Sequence, residues 1–122
     1  MSHPILKQVQ AVFIHVKDLP RAVEWYHQLF RLPRPESSVE GPVHVIEMEN
    51  GVHFLLDDNR NTPTDTPLPS AMLSTPDIDE AHRFLREQGA EIVREIERYS
   101  DVSFFNFRDP DGNILMVCQQ HR

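Results

Sequence analysis

The chain repeats itself. An apolar strand, an aspartate, a branched aliphatic, two variable positions and an alanine occur in Val12-Phe13-Ile14-His15-Val16-Lys17-Asp18-Leu19-Pro20-Arg21-Ala22. The same order returns in Met72-Leu73-Ser74-Thr75-Pro76-Asp77-Ile78-Asp79-Glu80-Ala81. Tight-turn pairs follow at Asn50-Gly51 and Asp111-Gly112, so cap and turn recur at nearly one spacing. Self-similarity of this kind marks a supersecondary unit used twice, each copy carrying an apolar face that has to be covered. With 122 residues, the size of one ordinary domain, the two copies account for the whole chain.

Each aspartate stands where a helix N-cap belongs, its carboxylate able to accept a free backbone N–H at the positive end of the helix dipole. After Asp18, Leu19, Ala22, Val23, Tyr26, Leu29 and Phe30 recur at three- and four-residue steps and so share one face. After Asp77, Ile78, Ala81, Phe84 and Leu85 do the same, and Gly89 supplies a left-handed stop. Short apolar runs follow each helix and predict three strands apiece. The expected order is β 8–16, α 18–31, β 35–40, β 43–49, β 52–57, then β 69–75, α 77–88, β 91–98, β 102–108 and β 113–119. Pro63, Pro67 and Pro69 disfavour regular structure between the halves. The expectation is therefore one domain over residues 1–122, with modules at about 8–57 and 69–119 and a linker at 58–68.

Two stretches resemble the vicinal oxygen chelate superfamily, which includes glyoxalase I, extradiol dioxygenases, fosfomycin-resistance enzymes and bleomycin-binding proteins. Phe13-Ile14-His15-Val16-Lys17-Asp18-Leu19-Pro20-Arg21-Ala22-Val23-Glu24-Trp25-Tyr26 is similar to that family's opening strand and helix. Phe107-Arg108-Asp109-Pro110-Asp111-Gly112-Asn113-Ile114-Leu115 is similar to its closing turn and strand. The resemblance implies an α+β fold of two tandem βαβββ modules, with a cup-shaped mixed sheet and helices outside. It also implies that metal-ligand positions fall at Ala11, Leu55, Ser70 and Met116. Alanine and leucine have no lone pair, serine is a poor ligand for a divalent ion, and thioether sulfur suits soft copper(I). No metal and no cofactor are expected.

Strand alternation adds neighbours to the same inward face: Phe13 and His15 with Ala11, His53 with Leu55, Met72 with Ser70, and Cys118 with Met116. These nine residues are the expected lining of a ligand cavity. If Ala11 and Leu55 lie level on parallel neighbouring strands, His15 and His53 are separated by roughly 20 Å, too far to share an ion. His15 then reads as a rim residue and His53 as a half-exposed structural one. Cys118 reads as buried and inert, because the sequence shows no cation or helix start beside it to stabilise a thiolate. Tyr26 belongs to the packed helix stripe, and Glu47 reads as an outward carboxylate.

Twelve Lys and Arg against nineteen Asp and Glu leave a net charge of −7, which repels the phosphates that supply most nucleic-acid affinity. No apolar run approaches the ~18 residues of a membrane span. The start MSHPILKQVQ has neither a cationic nor an apolar signal-peptide region, and the single cysteine excludes an internal disulfide. A cytoplasmic protein is expected, with no nucleic-acid or membrane partner. The leading functional expectation is metal-independent binding of a small molecule, partly apolar or cationic, in a cup between the modules. A metal-dependent lyase or dioxygenase is the alternative, and a dimerisation or interaction module the second. By resemblance the chain is expected to form a homodimer.

Overall fold

The computed structural model describes residues 4–34 and 41–121. They form β1 (Val9–His15), α1 (Leu19–Leu29), β2 (Val43–Glu47), β3 (His53–Asp57), β4 (Ala71–Ser74), α2 (Ile78–Glu87), β5 (Glu91–Arg98), β6 (Val102–Arg108) and β7 (Ile114–Gln120). The class is mixed α+β, as the repeat implies. The strand expected at 35–40 lies outside the described residues.

Chain contacts divide the protein into two compact units, one of residues 13–66 and one of residues 1–12 with 67–122. β1 contributes Phe13–His15 to the first and Val9–Val12 to the second. In the second unit the strands run β1-β4-β7-β6-β5, with β4 and β7 parallel and the other pairs antiparallel. In the first unit the order is β2-β3-β1, and β2 and β3 form an antiparallel hairpin.

Both helices begin as their aspartates dictate. Asp18 accepts the Arg21 N–H at 3.2 Å, and Asp77 accepts those of Asp79 and Glu80 at 3.1 and 3.2 Å. Such caps stabilise a helix by about 1 kcal/mol. They also end alike. Gly89 takes a φ of +84° and lets the Ala90 N–H return to the Leu85 carbonyl at 2.9 Å. At the matching place after α1, Arg31 takes a φ of 56° and the Leu32 N–H returns to the His27 carbonyl at 2.8 Å. The left-handed stop is set by geometry, and a non-glycine residue fills it in the first copy at some conformational cost.

Each unit buries one helix face against one sheet face. Ile78, Ala81 and Leu85 of α2 pack on Phe105, Phe107 and Val117. Leu19 and Val23 of α1 pack on Ile46 and Leu56, with Tyr26 and Phe54 beside them. Burying one such aliphatic or aromatic side chain contributes about 1.5–3 kcal/mol. Because successive strand residues alternate, packing Phe105, Phe107 and Val117 against α2 turns Phe104, Asn106, Met116 and Cys118 to the opposite face. By the same rule, packing Phe54 and Leu56 against α1 turns His53, Leu55 and Asp57 away from it.

Candidate functional site

The helix-free face of the second unit is organised in rows. Ala11 stands opposite Met72, Met72 beside Met116, Met116 opposite Asn106, and Asn106 opposite Arg94. One step along the strands, Ser74 pairs with Cys118, Cys118 with Phe104, and Phe104 with Glu97. Residues directly across a ladder share a face, so these are two parallel lines of neighbouring side chains. Ala11, Met116 and Cys118 are buried, and Met72 is half-buried. Ser70, just before β4, is exposed, and its hydroxyl donates to the Ile114 carbonyl at 3.3 Å.

Within this soft, largely apolar surface one residue is polar and fully enclosed. Asn106 has 0% of its surface exposed, and neither its side-chain nitrogen nor its oxygen meets a hydrogen-bond partner among the described residues. Leaving a buried amide group unpaired costs about 1–3 kcal/mol. Farther along, the Arg94 guanidinium lies 5.7 Å from the Phe104 ring centre and pairs with Glu97. Tyr99 stacks on Phe104 at 5.9 Å and donates its hydroxyl to Glu97 at 2.8 Å.

In the first unit, Phe13 and His15 follow Ile14 and Val16 in alternation, and their rings stack at 6.2 Å. His15 Nδ1 lies 3.0 Å from the Asn59 side-chain amide. The Val16 N–H donates to the Asp57 carbonyl at 3.0 Å, which sets His15 beside Asp57. His53 is four residues earlier, so the two histidines are about 13 Å apart along the strand, not the 20 Å expected. The expected register was two residues off, because the level of β3 against β1 depends on backbone pairing that alternation alone does not specify. The conclusion for metal sharing is unchanged. His53 contacts Glu47 at 3.7 Å, with Glu47 largely exposed, as expected for an outward carboxylate.

Residues 7–117 match the sequence family described as the Glyoxalase/Bleomycin resistance protein/Dioxygenase superfamily. The chain belongs to this superfamily. No curated protein matches the sequence. Among solved structures, methylmalonyl-CoA epimerase from Mycobacterium tuberculosis is similar at a TM-score of 0.71 and 18% identity, covering 100% of this chain and 93% of the other. A protein from Legionella pneumophila described as NAD-dependent benzaldehyde dehydrogenase aligns at 0.68 and 20%, covering 91% and 98%. A glyoxalase/bleomycin resistance protein/dioxygenase superfamily member from Vibrio splendidus 12B01 aligns at 0.56 and 16%, covering 91% and 97%. At these identities the likeness is one of fold.

For a superfamily member, the side chains at the positions the resemblance assigns to metal ligands are a poor donor set. Ala11 and Met116 stand one strand either side of Met72, and the row carries thioethers where a divalent cation needs carboxylate or imidazole. Among the described residues no three of His, Cys, Asp and Glu converge as a metal site would require. These residues do not fit a hard divalent ion.

Cys118 is buried, and burial, reinforced by the Asp101 carboxylate, pushes its thiol pKa up. A raised pKa keeps the sulfur in its thiol form at neutral pH, and the thiol is a weaker nucleophile than the thiolate. Two surface grooves of about 490 and 510 Å³ lie elsewhere, beside Phe30 and Met48 in one unit and beside Leu85 and Phe107 in the other. Neither is lined by any of the nine residues expected to bind ligand.

Sequence reasoning does not single out Asn106, although one polar residue in Val102-Ser103-Phe104-Phe105-Asn106-Phe107-Arg108 is a signal in hindsight. It also misses a histidine pair. His27 of α1 and His44 of β2 bring their Nε2 atoms to 3.1 Å, and nothing in their spacing of seventeen residues announces it.

Proposed function

We propose that this superfamily member binds a small, partly apolar molecule without a metal ion, on the helix-free faces of its sheets. The observation that carries the reading is the cross-strand row Ala11–Met72–Met116. It puts adaptable, weakly polar side chains where a hard cation would need oxygen or nitrogen, and methionine surfaces accommodate ligands of varied shape. Ser70 and Cys118 extend the lining of that face, and in the other unit Phe13, His15, His53 and Leu55 are the corresponding candidates, with the two histidines as polar points. The acidic net charge of −7 favours a neutral or cationic ligand over an anionic one.

Elemental analysis of the purified protein, together with a thermal-shift screen, tests this. The expected result is less than about a tenth of an equivalent of Zn, Mn, Ni or Fe, with melting raised by at least one apolar or cationic compound, because a ligand of the native state stabilises it. One tightly held equivalent of any of these metals overturns the reading in favour of a metal-dependent lyase or dioxygenase.

The reading extends to a cytoplasmic homodimer. Val43 and Val45 of β2 are each 41% exposed, on a strand with no outer partner among the described residues, and such surface is commonly covered by a second copy. Light scattering on the purified protein is expected to report twice the chain mass of 14.2 kDa. Among the described residues no helix is long and apolar enough to cross a membrane.

A further inference from the structure

We infer that Asn106 recognises the ligand, and that the ligand is a flat heterocycle presenting an amide edge, an N–H and a C=O side by side, as in a lactam or cyclic imide. The inference rests on the reading of the helix-free face as a binding surface and names the ligand class it takes. Four observations converge on it. Asn106 is enclosed and both of its side-chain polar atoms are unpartnered among the described residues. It stands directly across from Met116, in the row that continues to Met72 and Ala11. Its row neighbour on the other side, Arg94, is already engaged by Glu97 and by the Phe104 ring, so that cation is not the amide's counterpart. Phe104, two residues earlier on the same face and half-buried, offers an aromatic surface beside the amide.

A primary amide carries a donor group and an acceptor in one plane, and a planar partner that meets both along a single edge presents the complementary acceptor and donor side by side. A carboxylate presents two acceptors and leaves the oxygen of Asn106 facing another oxygen. An ammonium presents only donors and leaves the nitrogen unpaired. An amide edge matches both atoms. The surrounding thioethers and the Phe104 ring suit the flat, polarisable remainder of a heteroaromatic lactam. Since the amide is enclosed, the ligand reaches it when the flexible methionine side chains of the same face move aside.

The probe is 2-pyridone, the smallest aromatic lactam, with N-methyl-2-pyridone as the analogue that keeps the shape and loses the donor. In nitrogen-15-labelled protein, the side-chain amide signals of Asn106 are identified by their absence from Asn106→Leu. Titration with 2-pyridone is expected to shift those signals together with the methyl signals of Met72 and Met116. N-methyl-2-pyridone is expected to bind about tenfold more weakly, the effect of one hydrogen bond. Asn106→Leu is expected to fold, to melt no earlier than the parent, and to bind 2-pyridone at least about tenfold more weakly.

Absence of any shift on adding 2-pyridone overturns the inference, as does equal binding of the two pyridones or undiminished binding by Asn106→Leu. A marked loss of stability in that variant with binding unchanged also overturns it, and shows an amide satisfied inside the folded protein. If Asn106→Leu does not fold, the comparison of the two pyridones on the parent protein decides. Should another compound of the thermal-shift screen bind while 2-pyridone does not, the binding function stands and the ligand class falls.

Discussion

The Nε2 atoms of His27 and His44 lie 3.1 Å apart across the junction of α1 and β2. His27 Nδ1 donates to the Pro33 carbonyl at 2.8 Å, which leaves His27 Nε2 as the acceptor and makes His44 Nε2 the donor. Burial lowers the pKa of His44 from its ordinary 6.5, and the proximity of His27 lowers it further. The folded state therefore binds fewer protons here than the unfolded chain. The stabilisation is complete above pH 6.5 and is lost as pH falls through the depressed folded value. Urea unfolding at pH 7.5 and 5.5 should show the parent losing more stability on acidification than His44→Gln. Equal losses would mean that His44 does not carry this titration.

A second pH-linked effect, this one carried by a carboxylate, is expected at the closing turn. Asp109 accepts the backbone N–H groups of Asp111 and Asn113 at 2.9 and 2.8 Å, and the Asn113 side-chain amide at 2.8 Å. The Asn113 side-chain bond, followed by the backbone bonds, holds its pKa below the usual carboxylate range. The stabilisation is present above that range and disappears as pH falls through the lowered folded value. Asp109→Ala should melt earlier than the parent at pH 7, and the gap should narrow toward pH 2. A gap independent of pH would assign the turn's stability to backbone geometry alone.

Cys118 should resist modification. With its side chain enclosed and its thiol pKa raised by burial, the native protein should react with Ellman's reagent at pH 8 far more slowly than a free thiol, and the full equivalent should appear only in denaturant. Fast stoichiometric reaction under native conditions would reopen a nucleophilic role.

The two helix ends give opposite expectations for glycine. Arg31 holds a φ of 56° where its counterpart in the second copy is Gly89 at +84°. Arg31→Gly should raise stability by up to about 1 kcal/mol, and Gly89→Ala should lower it by a similar amount, because an L side chain is strained in the left-handed region. Denaturant midpoints of the two variants measure both effects. A loss of stability in Arg31→Gly would show that the arginine side chain contributes more than its backbone strain costs.

Much of this protein is legible in its sequence because the signals are local. Asp18 and Asp77 announce their helices by chemistry that acts within three residues, and the apolar stripe after each holds the buried residues, Leu19 and Val23 in one and Ile78, Ala81 and Leu85 in the other, while Leu29 and Phe30 at the far end of the first stripe stay exposed. Alternation likewise places Met116 and Cys118 on one strand face, since two residues is the period of a strand. What lay beyond reach involves pairs brought together from distant parts of the chain. The level of β3 against β1, which sets His15 beside Asp57, is one such pairing, since a strand's period says which face a side chain takes but not how far its partner strand has slid. The His27–His44 contact needed a helix and a strand to meet, and the enclosure of Asn106 required residues from separate strands to close around it. Local periodicity determined the elements and their faces, and only tertiary packing decided which polar atoms lost water and which found a partner, because desolvation is a property of all surrounding surfaces at once.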